Sequence, residues 1–126
     1  DVHALTDVTG FGLLGHCLEM VDGSSFTAHI DVDRVPLIPG IGTYVTQDCI
    51  PGGTYRNFDS YGHRLEFSAS DNTVTVGIPS GGSLPDPIKF LLCDPQTSGG
   101  LLIAANPRSR AVLEKEFGAV CVGEIR

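Results

Sequence analysis

Asp7 lies in a short glycine-rich segment, Thr6-Asp7-Val8-Thr9-Gly10-Phe11-Gly12, that runs straight into a helical pattern of Leu13, Leu14, Cys17, Leu18 and Val21. A helix start exposes unpaired backbone N–H groups and a partial positive charge, and both suit phosphate. A carboxylate on the same turn suits a hard divalent cation such as magnesium. Gly10 and Gly12 let backbone approach an anion, and Thr9 offers a hydroxyl. Phosphate with magnesium is the chemistry of nucleotides. The segment is not a P-loop, because the Gly-Lys-Ser/Thr ending is missing. A plainer role is open as well: Asp7 can cap its own turn by accepting from the N–H of Thr9 or Gly10. Spacing does not choose between the two.

Two further segments carry polar groups at turns. Asp94-Pro95-Gln96-Thr97-Ser98-Gly99-Gly100 reads either as a tight connection whose side chains satisfy backbone groups or as a loop facing a cleft. In Gly52-Gly53-Thr54-Tyr55-Arg56-Asn57, Arg56 and Asn57 could hold an anion. A surface ion pair for Arg56 is the expected alternative. None of His3, His16, His29 and His63 stands in a zinc pattern. His16, three residues before Glu19 on the first helix, reads as a surface or packing histidine. No nucleophile elbow supports a hydrolase triad. Cys17, Cys49, Cys93 and Cys121 form no Cys-x-x-Cys pair and have apolar neighbours. They are expected to be buried, reduced thiols of a cytoplasmic protein rather than a zinc site or disulfide framework.

These segments must be positioned by a small α+β core. Residues 12–22 predict an amphipathic helix. Phe26, Ala28, Ile30 and Val32 alternate with polar residues, which predicts a strand with one buried face. Residues 41–49 have helical spacing, and Pro51-Gly52-Gly53 reads as a turn. The stretch 54–87 is poorly legible apart from a short strand over 73–78 and a loop over 80–87. Residues 89–93 fit a strand or a buried helix end equally. The apolar run 101–105 predicts a central strand covered on both faces. Asn106 and Pro107 open a helix that Gly118 ends, and a last strand follows over 119–125. The expectation is an α/β sandwich of α+β class, with helices packed on a mixed sheet.

Size and charge narrow the functions. A chain of 126 residues has room for one core, so residues 1–126 are expected to form a single domain. A net charge of −7, with basic residues scattered apart from Arg108 and Arg110, argues against nucleic acid. No apolar stretch is long enough to span a membrane, and no signal-peptide pattern is present. Asp1 is not a natural start and the strand-like C-terminus stops abruptly. The chain is therefore expected to be a piece of a longer one.

Thr6-Asp7-Val8-Thr9-Gly10-Phe11-Gly12-Leu13-Leu14-Gly15-His16, then Gly52-Gly53-Thr54-Tyr55-Arg56-Asn57, then Asp94-Pro95-Gln96-Thr97-Ser98-Gly99-Gly100-Leu101-Leu102 occur in this order. Together they strongly resemble the selenophosphate synthetase family, the selenide, water dikinases. The resemblance implies most of a C-terminal domain like that of aminoimidazole ribonucleotide synthetase. It implies that a preceding ATP-binding domain, the domain's first helical stretch and a short tail lie outside the chain. The family makes selenophosphate from selenide, ATP and water, releasing AMP and phosphate, for selenocysteine synthesis. The implied cofactor is Mg2+ bridging the phosphates of ATP, held by aspartates of the N-terminal domain and by Asp7, with Thr9 and Gly10 on the same turn. The family's reactive Cys or selenocysteine and its neighbouring lysine have no counterpart here, so no residue of this chain receives a catalytic role. The chain alone is expected to be inactive. Implied partners are selenide and ATP, the parent's own N-terminal domain, and a second copy in a full-length homodimer. The fragment is expected to be monomeric or to pair through exposed apolar surface. A non-catalytic paralogue acting as a binding or regulatory protein is the alternative. Thiamine-monophosphate kinase and the hydrogenase-maturation dehydratase share the domain plan, but the second and third blocks together argue against them.

Overall fold

The period of two in residues 26–33 builds the centre of the molecule. In the computed structural model, which describes residues 1–126, Ala28–Asp31 forms strand β2, with Ala28 and Ile30 buried and His29 and Asp31 half-buried. It pairs on one side with β4 (Thr73–Val76) and on the other with β6 (Gly123–Ile125). β3 (Leu65–Phe67) completes a four-stranded sheet of order β3-β4-β2-β6. Val74 and Val76 are fully buried on the same face. Against it lie Leu14, Cys17 and Val21 of α1 (Gly12–Val21) and Phe58 and Tyr61 of α3 (Gly52–Tyr61). Phe90 of α4 (Pro87–Phe90) and the 3-10 turn after it, Leu91–Cys93, close the layer. Asp86 starts α4 by accepting from the N–H of Ile88 and Lys89.

A second, two-stranded sheet stands apart. β1 (Val2–Asp7) runs antiparallel to β5 (Leu101–Ala105), with Asp7 opposite Leu101. The remaining helices are the short α2 (Ile41–Thr46) and α5 (Arg110–Phe117). α5 follows a 3-10 turn that Asn106 caps through Arg108 N, and left-handed Gly118 ends it. The α+β class stands as expected. The strand directions differ from the expectation: every pairing is antiparallel, in two sheets.

Several elements depart from the sequence reading. Gly52-Gly53 is not a turn but the first turn of α3, entered from extended Pro51. The buried positions of that helix are Thr54, Asn57, Phe58 and Tyr61. Their spacing is helical, but two of the four are polar, so hydrophobicity does not reveal it. The run 101–105 is not a central strand covered on both faces. Leu101 is exposed and the rest only half-buried, because β1 alone pairs with it. β1 itself has too weak an alternation to be foreseen. β2 is shorter than expected: Phe26 is exposed, and Val32 begins a 3-10 turn. The last strand covers only Gly123–Ile125. Residues 89–93 resolve to the end of α4 and its 3-10 turn. Cys17 and Cys93 are buried as expected, but Cys49 is exposed and Cys121 half-buried. No helix is long and apolar enough to cross a membrane.

Candidate functional site

The three polar blocks, far apart in sequence, meet around the turn between β1 and α1. The Thr9 carbonyl accepts from Gly12 N at 3.1 Å and from Gln96 N at 2.9 Å, and Val8 N donates to the Gly100 carbonyl at 2.9 Å. The first and third blocks are thus joined through their backbones. Gly12 adopts φ +73°, and a Cβ there would lie 2.7 Å from the Cys93 carbonyl carbon. A Cβ on Gly99 would collide with the Val8 carbonyl oxygen. Only glycine allows these approaches.

The second block fastens the other two from below. Asn57, buried on α3, donates both amide hydrogens, to the Gly10 carbonyl and to the Cys93 carbonyl, each at 2.9 Å. Thr54, also buried, donates its hydroxyl to the Asp94 carboxylate. Tyr61 donates its phenol to the Phe11 carbonyl. Burial pushes the Tyr61 phenol well above its usual range. Burial likewise pushes the Cys93 thiol up to about 11 and the Cys17 thiol up to about 12. Neither thiol is a nucleophile at neutral pH.

These hydrogen bonds decide among the roles left open. Asn57 is committed to two carbonyls and does not hold an anion. Arg56 is exposed and makes no ion pair, contrary to the surface pairing expected for it. Asp94 accepts from the Thr54 side chain rather than from the backbone group expected for its segment, and Thr97 and Ser98 are exposed beside the Val8–Gly10 turn. Asp7 ends β1 with an exposed carboxylate. It does not cap its turn: α1 starts at Phe11 with no side-chain cap. A free carboxylate with no protein donor fits one position on a hydrated magnesium ion. No group of three or more His, Cys, Asp or Glu side chains gathers anywhere in the chain. A magnesium ion at Asp7 would therefore need its other ligands from water, from phosphate or from another polypeptide segment. Gly10 is exposed, with open space where a Cβ would be, so its backbone is accessible to a ligand.

Thr9 and His16 hold a feature the sequence did not disclose. The exposed Thr9 hydroxyl lies 3.0 Å from His16 Nε2, and His16 Nδ1 lies 2.8 Å from a Glu19 carboxylate oxygen. His16 is buried rather than a surface residue. The His16–Glu19 spacing was visible, but the link to Thr9 crosses from the turn into the helix and follows no helical rule.

β5, α5 and β6 border an open groove of about 1770 Å³ that also reaches Val8, Gln96 and Gly99 of the site. Phe117, Val112 and Leu101 are exposed there or near it, and α5 contributes no buried residue.

The sequence matches the family model "AIR synthase related protein, C-terminal domain" over residues 1–125. A selenide, water dikinase of Pseudomonas putida is 49% identical over 119 residues, covering 94% of this chain and 29% of that protein. One of Pseudomonas aeruginosa is 50% identical over 119 residues, with the same shares of 94% and 29%. One of a Shewanella strain is 46% identical over 129 residues, covering 98% of this chain and 32% of that protein. The chain thus spans less than a third of the length of these curated relatives.

Proposed function

The chain belongs to the family of AIR synthase related proteins, as their C-terminal domain, and from that footing we propose that it is the C-terminal domain of a selenide, water dikinase. Its parent would make selenophosphate from selenide, ATP and water. The observation that carries this reading is the convergence of the three blocks on one turn. Gly52–Asn57 and Asp94–Gly100 hold the Asp7–Gly10 segment by hydrogen bonds and close backbone contacts. The relatives that match along nearly the whole chain carry the dikinase name.

In this reading Asp7 is a magnesium ligand, and Gly10 and Thr9 border the metal–phosphate assembly. Bound magnesium would supply charge neutralisation on the phosphoryl group being transferred. The chain's own part is to hold one carboxylate still. A single carboxylate binds magnesium weakly, so the chain alone does not turn over ATP. The remaining ligands and the adenine pocket belong to the rest of the parent protein. We assign the groove beside α5 to contact with that remainder, because it keeps the apolar Leu101 and Phe117 in solvent.

The test is made on the full-length parent. ATP, magnesium and selenide are supplied and the products followed by phosphorus NMR, with Asp7→Asn beside the wild type. Selenophosphate and AMP from the wild type, with at least a hundredfold loss in the variant (the scale of removing a metal contact), support the assignment. A silent wild type overturns the dikinase reading. A fully active variant removes Asp7 from the metal.

A further inference from the structure

We propose that Glu19 and His16 are positioning residues that lock the hydroxyl of Thr9, with its proton turned inward and its oxygen lone pairs turned toward the cleft. The proposal rests on the reading of the Asp7–Gly10 turn as a magnesium site. It concerns residues that reading does not use.

An ionised carboxylate only accepts. Glu19 lies 2.8 Å from His16 Nδ1, so Nδ1 carries a hydrogen, and in a neutral ring that hydrogen is the only one. Nε2 is then a bare acceptor. Its one partner is the Thr9 hydroxyl at 3.0 Å, and the hydrogen between them must come from Thr9. The chain therefore runs Thr9 to His16 to Glu19, each member donating to the next. A hydroxyl normally rotates to suit its ligand. Here rotation would leave the buried Nε2 without a donor.

The surroundings reinforce the lock. The His16 side chain is only 8% exposed while that of Glu19 is 55% exposed. Phe11 lies over the imidazole with ring centroids 5.5 Å apart, which limits water at the ring. Hydrogen bonds within such a shielded site are stronger and more costly to leave unmade. Glu19 lies at the solvent end, and Thr9 is exposed at the cleft end.

The consequence is a selective surface for ligands. Thr9 has no proton left to offer a phosphate oxygen. It can accept from a donor, and the donors at a magnesium site are the waters the ion retains. Thr9 would thus hold a water of hydrated magnesium on the turn that carries Asp7. This reverses the simpler expectation that Thr9 donates to phosphate.

The experiment uses the full-length protein with selectively 15N-labelled histidine, His16 being assigned by loss of its signals in His16→Gln. The expected spectrum shows His16 protonated at Nδ1 and bare at Nε2. Glu19→Ala should erase that preference in a variant that circular dichroism shows to be folded. In steady-state assays Glu19→Ala and Thr9→Val should raise the magnesium requirement about fivefold to tenfold, the worth of one hydrogen bond, more than they lower kcat. Thr9→Ser should restore it. His16 protonated at Nε2, or a tautomer unchanged in Glu19→Ala, would overturn the lock. An unchanged magnesium requirement in both variants would overturn its role toward hydrated metal. A wild type that makes no selenophosphate refutes the dikinase reading instead, and the nitrogen spectrum still judges the lock.

Discussion

Asn57→Ala is the perturbation that tests most directly how the site is held. The side chain lies at the centre of the assembly and donates to two carbonyls, each at 2.9 Å. The two are not equivalent. Gly10 is exposed, so its carbonyl can regain a water when the amide is removed, and the loss there is about 1 kcal/mol, a net hydrogen bond. Cys93 is fully buried, and its carbonyl would be stranded, which costs about 2 kcal/mol. The sum is about 3 kcal/mol, or a fall in melting temperature of roughly 10 °C for a domain of this size. Urea unfolding of wild type and variant, followed by circular dichroism, reads the difference as a shift in midpoint at constant slope. Asn57→Asp sharpens the test. It keeps the shape but turns a donor into an acceptor facing two carbonyls, so it should be at least as damaging as alanine. A loss below about 0.5 kcal/mol for Asn57→Ala would refute the reasoning, because surface substitutions alone give that much.

Two other outcomes follow from the same packing. Gly99→Ala should destabilise by about 2–3 kcal/mol, the cost of forcing atoms into a filled space, because its Cβ would collide with the Val8 carbonyl oxygen. Gly100→Ala, with nothing within 4 Å, should be close to neutral; equal losses at the two positions in a thermal melt would contradict the contact. Stability should also fall at alkaline pH. Cys17 and Cys93 have raised folded values of about 12 and about 11. Below their ordinary range both folded and unfolded thiols are neutral and nothing is lost. Above about pH 9 the unfolded thiols ionise while the folded ones do not, so each takes about 1.4 kcal/mol per pH unit until its folded value is passed. A urea midpoint that is the same at about pH 8 and about pH 10.5 would show the thiols are not buried as described.

The legible parts of the fold are those where hydrophobicity alone sets the period. α1 and β2 show their buried faces in Leu14, Cys17 and Val21 and in Ala28 and Ile30. The α5 ends are legible because Asn106 and Gly118 are backbone signals. α3 was hidden because Thr54 and Asn57 occupy its buried face for hydrogen bonding, so its period is polar as much as apolar. The run 101–105 misled for the opposite reason. Its composition is that of a buried strand, yet in this chain it pairs only with β1 and keeps Leu101 in solvent. Of the site, Asp7 and the glycines stood out by type. The Thr9–His16–Glu19 chain did not, since it depends on where the β1–α1 turn places a hydroxyl against a helix two turns further on.

What the second and third blocks contribute is restraint rather than ligands. Asn57, Thr54, Asp94 and Tyr61 each use their polar groups on a partner inside the assembly. The Asp7 carboxylate and the Arg56 guanidinium are left uncommitted and exposed. Under the magnesium reading proposed for Asp7, a site that fixes its frame so thoroughly and presents one carboxylate would complete a coordination sphere begun elsewhere. Magnesium tolerates little departure from octahedral geometry and releases its waters reluctantly, so a partial ligand set is useful only if it is held rigidly where the other ligands arrive. Loosening the frame at Asn57 should weaken metal-dependent turnover in the parent protein even though Asn57 touches no ligand.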